Sequence, residues 1–294
     1  MAHDVEVHGL QRPGCRIHYL HRPSETGQWV VFLHGAGADA QSFAPQLKVV
    51  PEGVGILAWD ARGHGRSQLE PGRPFRYEDM VEDLYALLDT YGVEVADFIG
   101  QSMGGNLAQT VTRRTPERVG KLVLIDCTDN YRRLWPSEKI GLALSKLTLR
   151  VWPWWGIVAA TAAACGINPK TQVYTAKTMV SLGKPHFLEV INYWSDAHVD
   201  DSHPLGRPTL LVLGTLDMTG NIAYAMTTWP LKDPMAKLVI VPWAAHMSNR
   251  DQPWLVNRSI RKFLGWGATA EPADPSQPAQ PEAPARSDQP RQAG

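Results

Sequence analysis

Short apolar runs recur along this chain in a rhythm that leaves few choices of architecture. WVVFLHG (29–35), GILAWD (55–60), VADFIG (95–100), KLVLID (121–126), TLLVLG (209–214) and AKLVIVPW (236–243) are too short for independent helices. They are also too uniformly apolar to keep one face in water, so each reads as a strand buried on both sides. Helical patterns fall between them. YEDMVEDLYALLDTY (77–91) repeats its apolar residues at helical spacing and stops at Gly92. AQSFAPQLKVV (40–50), MGGNLAQTVTRR (103–114) and Trp254 to Leu264 are further helix candidates. Strands alternating with helices predict an α/β domain with a mostly parallel sheet covered on both faces. Ahead of it, VEVHG and RIHYLHR read as an antiparallel strand pair.

Between Thr128 and Pro208 the strand rhythm stops. That segment holds Trp135, Trp152, Trp154, Trp155 and Trp194 in mostly helical patterns, as expected of a helical insertion between two core strands. Its uncharged stretch Val151 to Ile167 is shorter than the roughly 20 residues a spanning helix needs, and Pro153 and Gly156 interrupt it. No membrane span is expected. From Gly267 onward the composition turns to Pro, Ala, Gln and acidic residues, which cannot bury a core, so a disordered tail is expected. The expected divisions are a core over 1–127 and 209–266, a helical insertion over 128–208 and a tail over 267–294.

Charge and cysteine content exclude several function classes. Lys plus Arg and Asp plus Glu both number 29, so no net basic excess is available to neutralise nucleic-acid phosphates. Three scattered cysteines, Cys15, Cys127 and Cys165, suit neither a disulfide framework nor a zinc site. They read as reduced thiols, and with no apolar h-region in MAHDVEVHGLQRPGCR the expected location is cytoplasmic.

The strongest chemical signal is Gly100-Gln101-Ser102-Met103-Gly104, set between a buried strand and a helix. A turn tight enough to lift a Ser hydroxyl above a sheet needs minimal side chains two positions either side, and glycine stands at both. The helix that follows offers N-terminal amides to an oxyanion. Leu33-His34-Gly35-Ala36-Gly37 ends an earlier strand with small residues that leave backbone N–H groups accessible. Acyl transfer needs two such donors, each worth roughly 3 kcal/mol of barrier, and the Ala36 and Met103 N–H groups are the expected pair.

With these pieces in view, the chain resembles the α/β-hydrolase superfamily over roughly residues 15–265. The matching motifs are LHGAG, WDARGHGRS (59–67), GQSMGG, LVLGTLD (211–217) and AAHM (244–247). The resemblance implies a mostly parallel central sheet flanked by helices, with a helical cap inserted after the sixth strand. It also implies the chain order nucleophile, acid, histidine, which places the acid at Asp217 and the base at His246. Haloalkane dehalogenase and epoxide hydrolase relatives carry Asp where this chain has Ser102, which speaks against those activities.

His246 also follows from position alone. It comes after AKLVIVPW and before a closing helix, at the carboxyl ends of the parallel strands where ligands bind in open α/β sheets. His64, in RGHGRS, is expected to shape a turn, and His34 and Asp60 to organise loops. Asp217 ends its strand at the same face as His246. Asp126 and Asp129 follow the earlier strand and remain alternatives for the acid, or else cap loops. Trp152, Trp154, Trp155 and Trp194 are expected either to pack the insertion or to wall an apolar pocket over Ser102.

The expected activity is hydrolysis of a carboxylic ester or lactone through an acyl-enzyme on Ser102, with no metal or organic cofactor. A C–C bond hydrolase, a cofactor-free perhydrolase, or a ligand-binding protein built on the same scaffold would share these residues.

Overall fold

The computed structural model describes residues 5–201 and 203–267, apart from the side chains of Leu142, Trp194 and Ser195. Eight strands form one sheet: β1 (Glu6–Arg12), β2 (Cys15–Arg22), β3 (Trp29–Leu33), β4 (Gly55–Trp59), β5 (Ala96–Gln101), β6 (Val119–Ile125), β7 (Thr209–Gly214) and β8 (Ala236–Val241). Their spatial order is β1-β2-β4-β3-β5-β6-β7-β8. The β1–β2 and β2–β4 pairs are antiparallel and all the others parallel; the N-terminal hairpin is the antiparallel pair the sequence suggests, and it forms one edge.

Continuous apolar runs become strands here because both sheet faces are covered. Along β5 and β6, Phe98, Leu122 and Leu124 enter the core on one face, while Ile99, Val123 and Ile125 enter the core on the other. That is the period-two alternation of a strand, with no wet side to ask for polar residues. Helices α1 (Ala44–Leu47), α2 (Tyr77–Thr90) and α3 (Met103–Arg114) follow β3, β4 and β5. Phe98 is fully buried between β5 and the helices of its face. Phe98→Ala is expected to cost about 3–5 kcal/mol of unfolding free energy. Urea denaturation would measure it, and a loss under 1 kcal/mol would mean that the core closes around the void.

The five helices between β6 and β7 are α4 (Pro136–Val151), α5 (Trp154–Cys165), α6 (Pro169–Leu182), α7 (Lys184–Val190) and α8 (Tyr193–Ala197). They occupy the segment expected to be a helical insertion, and Ile157, Val158, Met179 and Phe187 give it a small core of its own. Helices α9 (Ile222–Lys232), α10 (Ser248–Asp251) and α11 (Pro253–Leu264) are the remaining helices of the described residues. No described helix is long and apolar enough to cross a membrane. The Pro/Ala/Gln-rich tail lies outside the described residues from position 268 on.

Strand order opens a crevice at one end of the sheet. From β3 the chain moves outward to β4, then returns past β3 to β5. The loops leaving the carboxyl ends of β3 and β5 therefore run in opposite directions and open a crevice between them, the place where open α/β sheets bind ligands.

Candidate active site

Ser102 sits at the carboxyl end of β5 with φ 49° and ψ −118°, a conformation disfavoured for any residue with a Cβ. The surrounding packing holds it there. A Cβ on Gly104 would lie 1.9 Å from the Leu33 carbonyl oxygen, and one on Gly100 would lie 2.5 Å from the Gly104 carbonyl oxygen. Glycine at both positions is therefore required by space, as the motif implies. The Ser102 N–H donates to Ile125 O, and its carbonyl accepts the Asn106 N–H of α3, so the turn is pinned at both ends.

Two histidine contacts converge on this turn. His246 Nε2 lies 3.0 Å from Ser102 Oγ, and His246 Nδ1 lies 3.0 Å from Asp217 Oδ2. The Asp217 side chain is fully buried, and its other oxygen accepts the Thr219 N–H at 2.8 Å. With a carboxylate facing Nδ1, that nitrogen carries the proton, which leaves Nε2 to accept from the Ser102 hydroxyl. Burial opposes charging His246, but the Asp217 carboxylate and its hydrogen bond more than offset this, with Asp126 adding to them. The imidazole therefore titrates above its ordinary range. Asp217 is pushed up by burial yet held below the usual carboxylate range by the His246 charge and by its hydrogen bonds.

The two alternative acids occupy other roles. Asp126, with φ 45°, accepts the Gly214 N–H at 2.8 Å and the Ser248 N–H at 2.9 Å, tying β6 to β7 and α10. Burial, with the nearby Asp217 charge, pushes its carboxyl up to about 7. Asp129 accepts the Tyr131 N–H and pairs with Lys232.

The first turn of α3 begins at Met103, where a helix N-terminus leaves its amides without intrahelical acceptors. Ala36 lines the cleft beside Ser102. The loop that carries Ala36 is fixed from beneath. His34 Nδ1–H donates to Gly35 O, while its Nε2 accepts the Ala61 N–H at 2.9 Å. Asp60 accepts the Ala40 and Arg66 amides, so His34 and Asp60 organise loops as the sequence suggests. A side chain at Gly35 would displace Gln101, because a Cβ would lie 2.2 Å from Gln101 Oε1 and 3.1 Å from Ser102 Cβ. Gln101 in turn donates to the His246 carbonyl at 2.9 Å, linking the Ser102 turn to the histidine loop. His64 is buried in its turn, donating through Nδ1 to Arg62 O and packed against His34.

The cleft over Ser102 is narrow, with a cavity volume of only about 20 Å³, and its walls differ from those expected. None of Trp152, Trp154 and Trp155 lines it; Tyr174, Thr175, Thr178, Cys165 and Met247 do. The correction has a simple geometric origin. Helix α5 points its C-terminal end at the site, with the Met247 N–H donating to Cys165 O at 2.8 Å. The tryptophans stand at its other end, about 16 Å of helix away. There Trp154 packs on Phe187, while Trp152 and Trp155 are exposed. The Trp194 side chain lies outside the described ones.

Two anchors that sequence reasoning missed hold α5 and α6 over the cleft. Tyr174 donates its hydroxyl to Asp39 Oδ1 at 2.7 Å, joining α6 to the loop after β3. Asp251 accepts the Ile167, Asn168 and Ala245 amides, joining the α5–α6 turn to the histidine loop. Only the run of hydrogen-bonding types around Asn168 and Asp251 hinted at capping, with nothing local to name the partner.

Comparison with known proteins agrees with this architecture. The family described as the alpha/beta hydrolase fold matches residues 28–253. A proposed carbamate hydrolase (RutD) of Caulobacter segnis is 37% identical over 123 residues, a match that spans 41% of each chain. The sn-1-specific diacylglycerol lipase ABHD11 of Mus musculus is 35% identical over 256 residues, 80% of each. Among solved structures, the enol-lactonase from Burkholderia xenovorans superposes with a TM-score of 0.73 at 21% identity, covering 88% of this chain and all of that one. From its fold and the family match together, this chain belongs to the α/β-hydrolase family.

Proposed function

We propose that the chain is a serine hydrolase that cleaves a carboxylic ester or lactone through an acyl-enzyme on Ser102. The observation that carries this reading is the unbroken relay from Ser102 Oγ to His246 Nε2 and from His246 Nδ1 to Asp217, both at 3.0 Å. A hydroxyl is a weak nucleophile until a base stands within hydrogen-bond reach and a third group orients that base. As Ser102 Oγ attacks the carbonyl carbon, its proton passes to His246 Nε2. The negative charge then gathers on the former carbonyl oxygen, where the Ala36 and Met103 N–H groups would receive it. Collapse breaks the C–O bond of the ester, and His246 returns the proton to the leaving alkoxide. Water then attacks the acyl-enzyme by the same route, releasing the acid and restoring Ser102.

In this reading helices α4 to α8 form a cap over the relay. The cap leaves only a narrow cleft over Ser102, with its polar wall supplied by Tyr174, Thr175 and Thr178, which favours small acyl groups over long ones. The three cysteines are all free thiols, which suits a reducing compartment. The relatives' names span carbamate, acylglycerol and enol-lactone substrates, all of which present an electrophilic carbonyl to such a nucleophile. Hydrolysis of p-nitrophenyl esters from acetate to palmitate tests the reading. Acetate and butyrate esters are expected to turn over fastest, with rates falling steeply toward palmitate. No release from any member, together with no labelling of Ser102 by a fluorophosphonate, would remove the esterase reading.

A further inference from the structure

Helix α4 is apolar on its outer side. Ile140, Leu144, Leu147 and Val151 recur at i, i+4, i+7 and i+11, one stripe of a 3.6-residue helix, and are 62, 60, 61 and 76% exposed. A surface helix of a globular protein normally turns such a stripe inward, so this one calls for an occupant. Exposed Trp135 stands just before α4, and exposed Trp152 and Trp155 just after it. Tryptophan in that flanking position suits the boundary between lipid and water, where its ring is apolar and its N–H stays wet.

Charge identifies the occupant. Between Arg132 and Lys184 the chain carries eight Lys and Arg against one acidic residue, Glu138, although the whole chain balances at 29 of each sign. On α4 itself Lys139, Lys146 and Arg150 repeat the spacing of the apolar stripe, about a quarter-turn round the helix from it. A basic flank beside an apolar stripe is the pattern of a helix lying in the plane of an anionic lipid surface. Two copies of this chain meeting through the same face would bring two basic surpluses together, which disfavours self-association there.

We propose that the α4 face docks on an anionic phospholipid surface, with the helix parallel to the membrane plane. The Asn221 amide donates to Glu138 at 2.9 Å, placing the start of α4 beside the segment that follows Asp217. Docking would therefore bring the Ser102 end of the sheet toward the lipid. This inference does not depend on the hydrolytic reading, because binding is measured without turnover.

Co-sedimentation of the full chain with vesicles tests it. One set contains three parts phosphatidylcholine to one part phosphatidylglycerol, and the other phosphatidylcholine alone. Binding is expected to the anionic vesicles, to weaken with added salt, and to be at least tenfold poorer on the zwitterionic ones. Lys139→Gln with Arg150→Gln should weaken anionic binding by about 25-fold, roughly fivefold per cation removed. Leu144→Glu with Leu147→Glu should weaken it more than tenfold. The side chains changed are solvent-facing, so both pairs should keep the wild-type thermal midpoint and circular dichroism. The proposal is overturned if the wild type stays in the supernatant with anionic vesicles, or if both folded variant pairs bind as well as wild type. A dimer at micromolar concentration that Leu144→Glu with Leu147→Glu dissolves would equally overturn it, reassigning the face to self-association.

Discussion

Ser102→Ala is expected to lower kcat for ester hydrolysis by about 10⁶-fold and to abolish labelling by fluorophosphonates. The hydroxyl is the group that would become covalently bonded, so no neighbouring side chain can substitute for it. Residual rate would come from the Ala36 and Met103 amides and from binding, since these do not depend on the hydroxyl. The fold should survive. The Ser102 backbone bonds to Ile125 and Asn106 are unchanged by the substitution, and the φ of 49° costs alanine about as much as serine. Steady-state kinetics with p-nitrophenyl acetate and a thermal melt together separate a catalytic loss from a folding loss. Turnover within tenfold of wild type in a folded Ser102→Ala protein would sink the nucleophile assignment.

How much of this was readable before any coordinates depends on whether the relevant constraint is local. The parallel strands were legible because burial on both faces leaves an apolar run with no polar interruptions, as in TLLVLG, which forms β7 over the same residues. The tight turn at Ser102 was legible because its crowding acts on residues two positions away, and glycine is the only answer at Gly100 and Gly104. The stretch 40–50, a helix candidate in the sequence, forms a short 3₁₀ turn over Ala40–Phe43 and a single α turn over Ala44–Leu47. Pro45 lacks the N–H that would continue a hydrogen-bond ladder from the preceding turn, so one continuous helix cannot form there. The cleft walls were not legible. Tyr174 meets Asp39 across 135 residues of sequence, and nothing within α6 announces that partner. The tryptophans expected to wall the pocket instead lie at the start of α5, away from the cleft. Composition says what a segment contains, whereas the anchors at Tyr174 and Asp251 decide which end faces the site.

The two buried aspartates near His246 make the sharpest remaining contrast. Asp217→Asn should lower kcat by about 10⁴-fold, because an amide facing Nδ1 favours the tautomer that places the imidazole proton on Nε2, where it cannot accept from Ser102. Asp126→Asn should leave kcat within tenfold at the optimum, since Asp126 bonds to the Gly214 and Ser248 amides rather than to His246. It should instead cost about 1–3 kcal/mol of stability, because an amide can accept only one of those two N–H groups well. The pH profiles separate the two roles further. A general base must be neutral, and His246 is held above its ordinary range, so kcat/KM should fall as pH drops through a midpoint above about 6.5. Asp126 contributes to that elevation, so in Asp126→Asn the acid limb should move to lower pH. Stability follows the opposite carboxyl logic. A group raised to about 7 binds its proton more tightly folded than unfolded, so its contribution is full at low pH and drains away as pH rises to about 7. That slope in unfolding free energy should be present in wild type and missing from Asp126→Asn. If Asp126→Asn lost activity by orders of magnitude while Asp217→Asn did not, the acid would stand at the carboxyl end of β6, and the relay would have to be redrawn through Asp126.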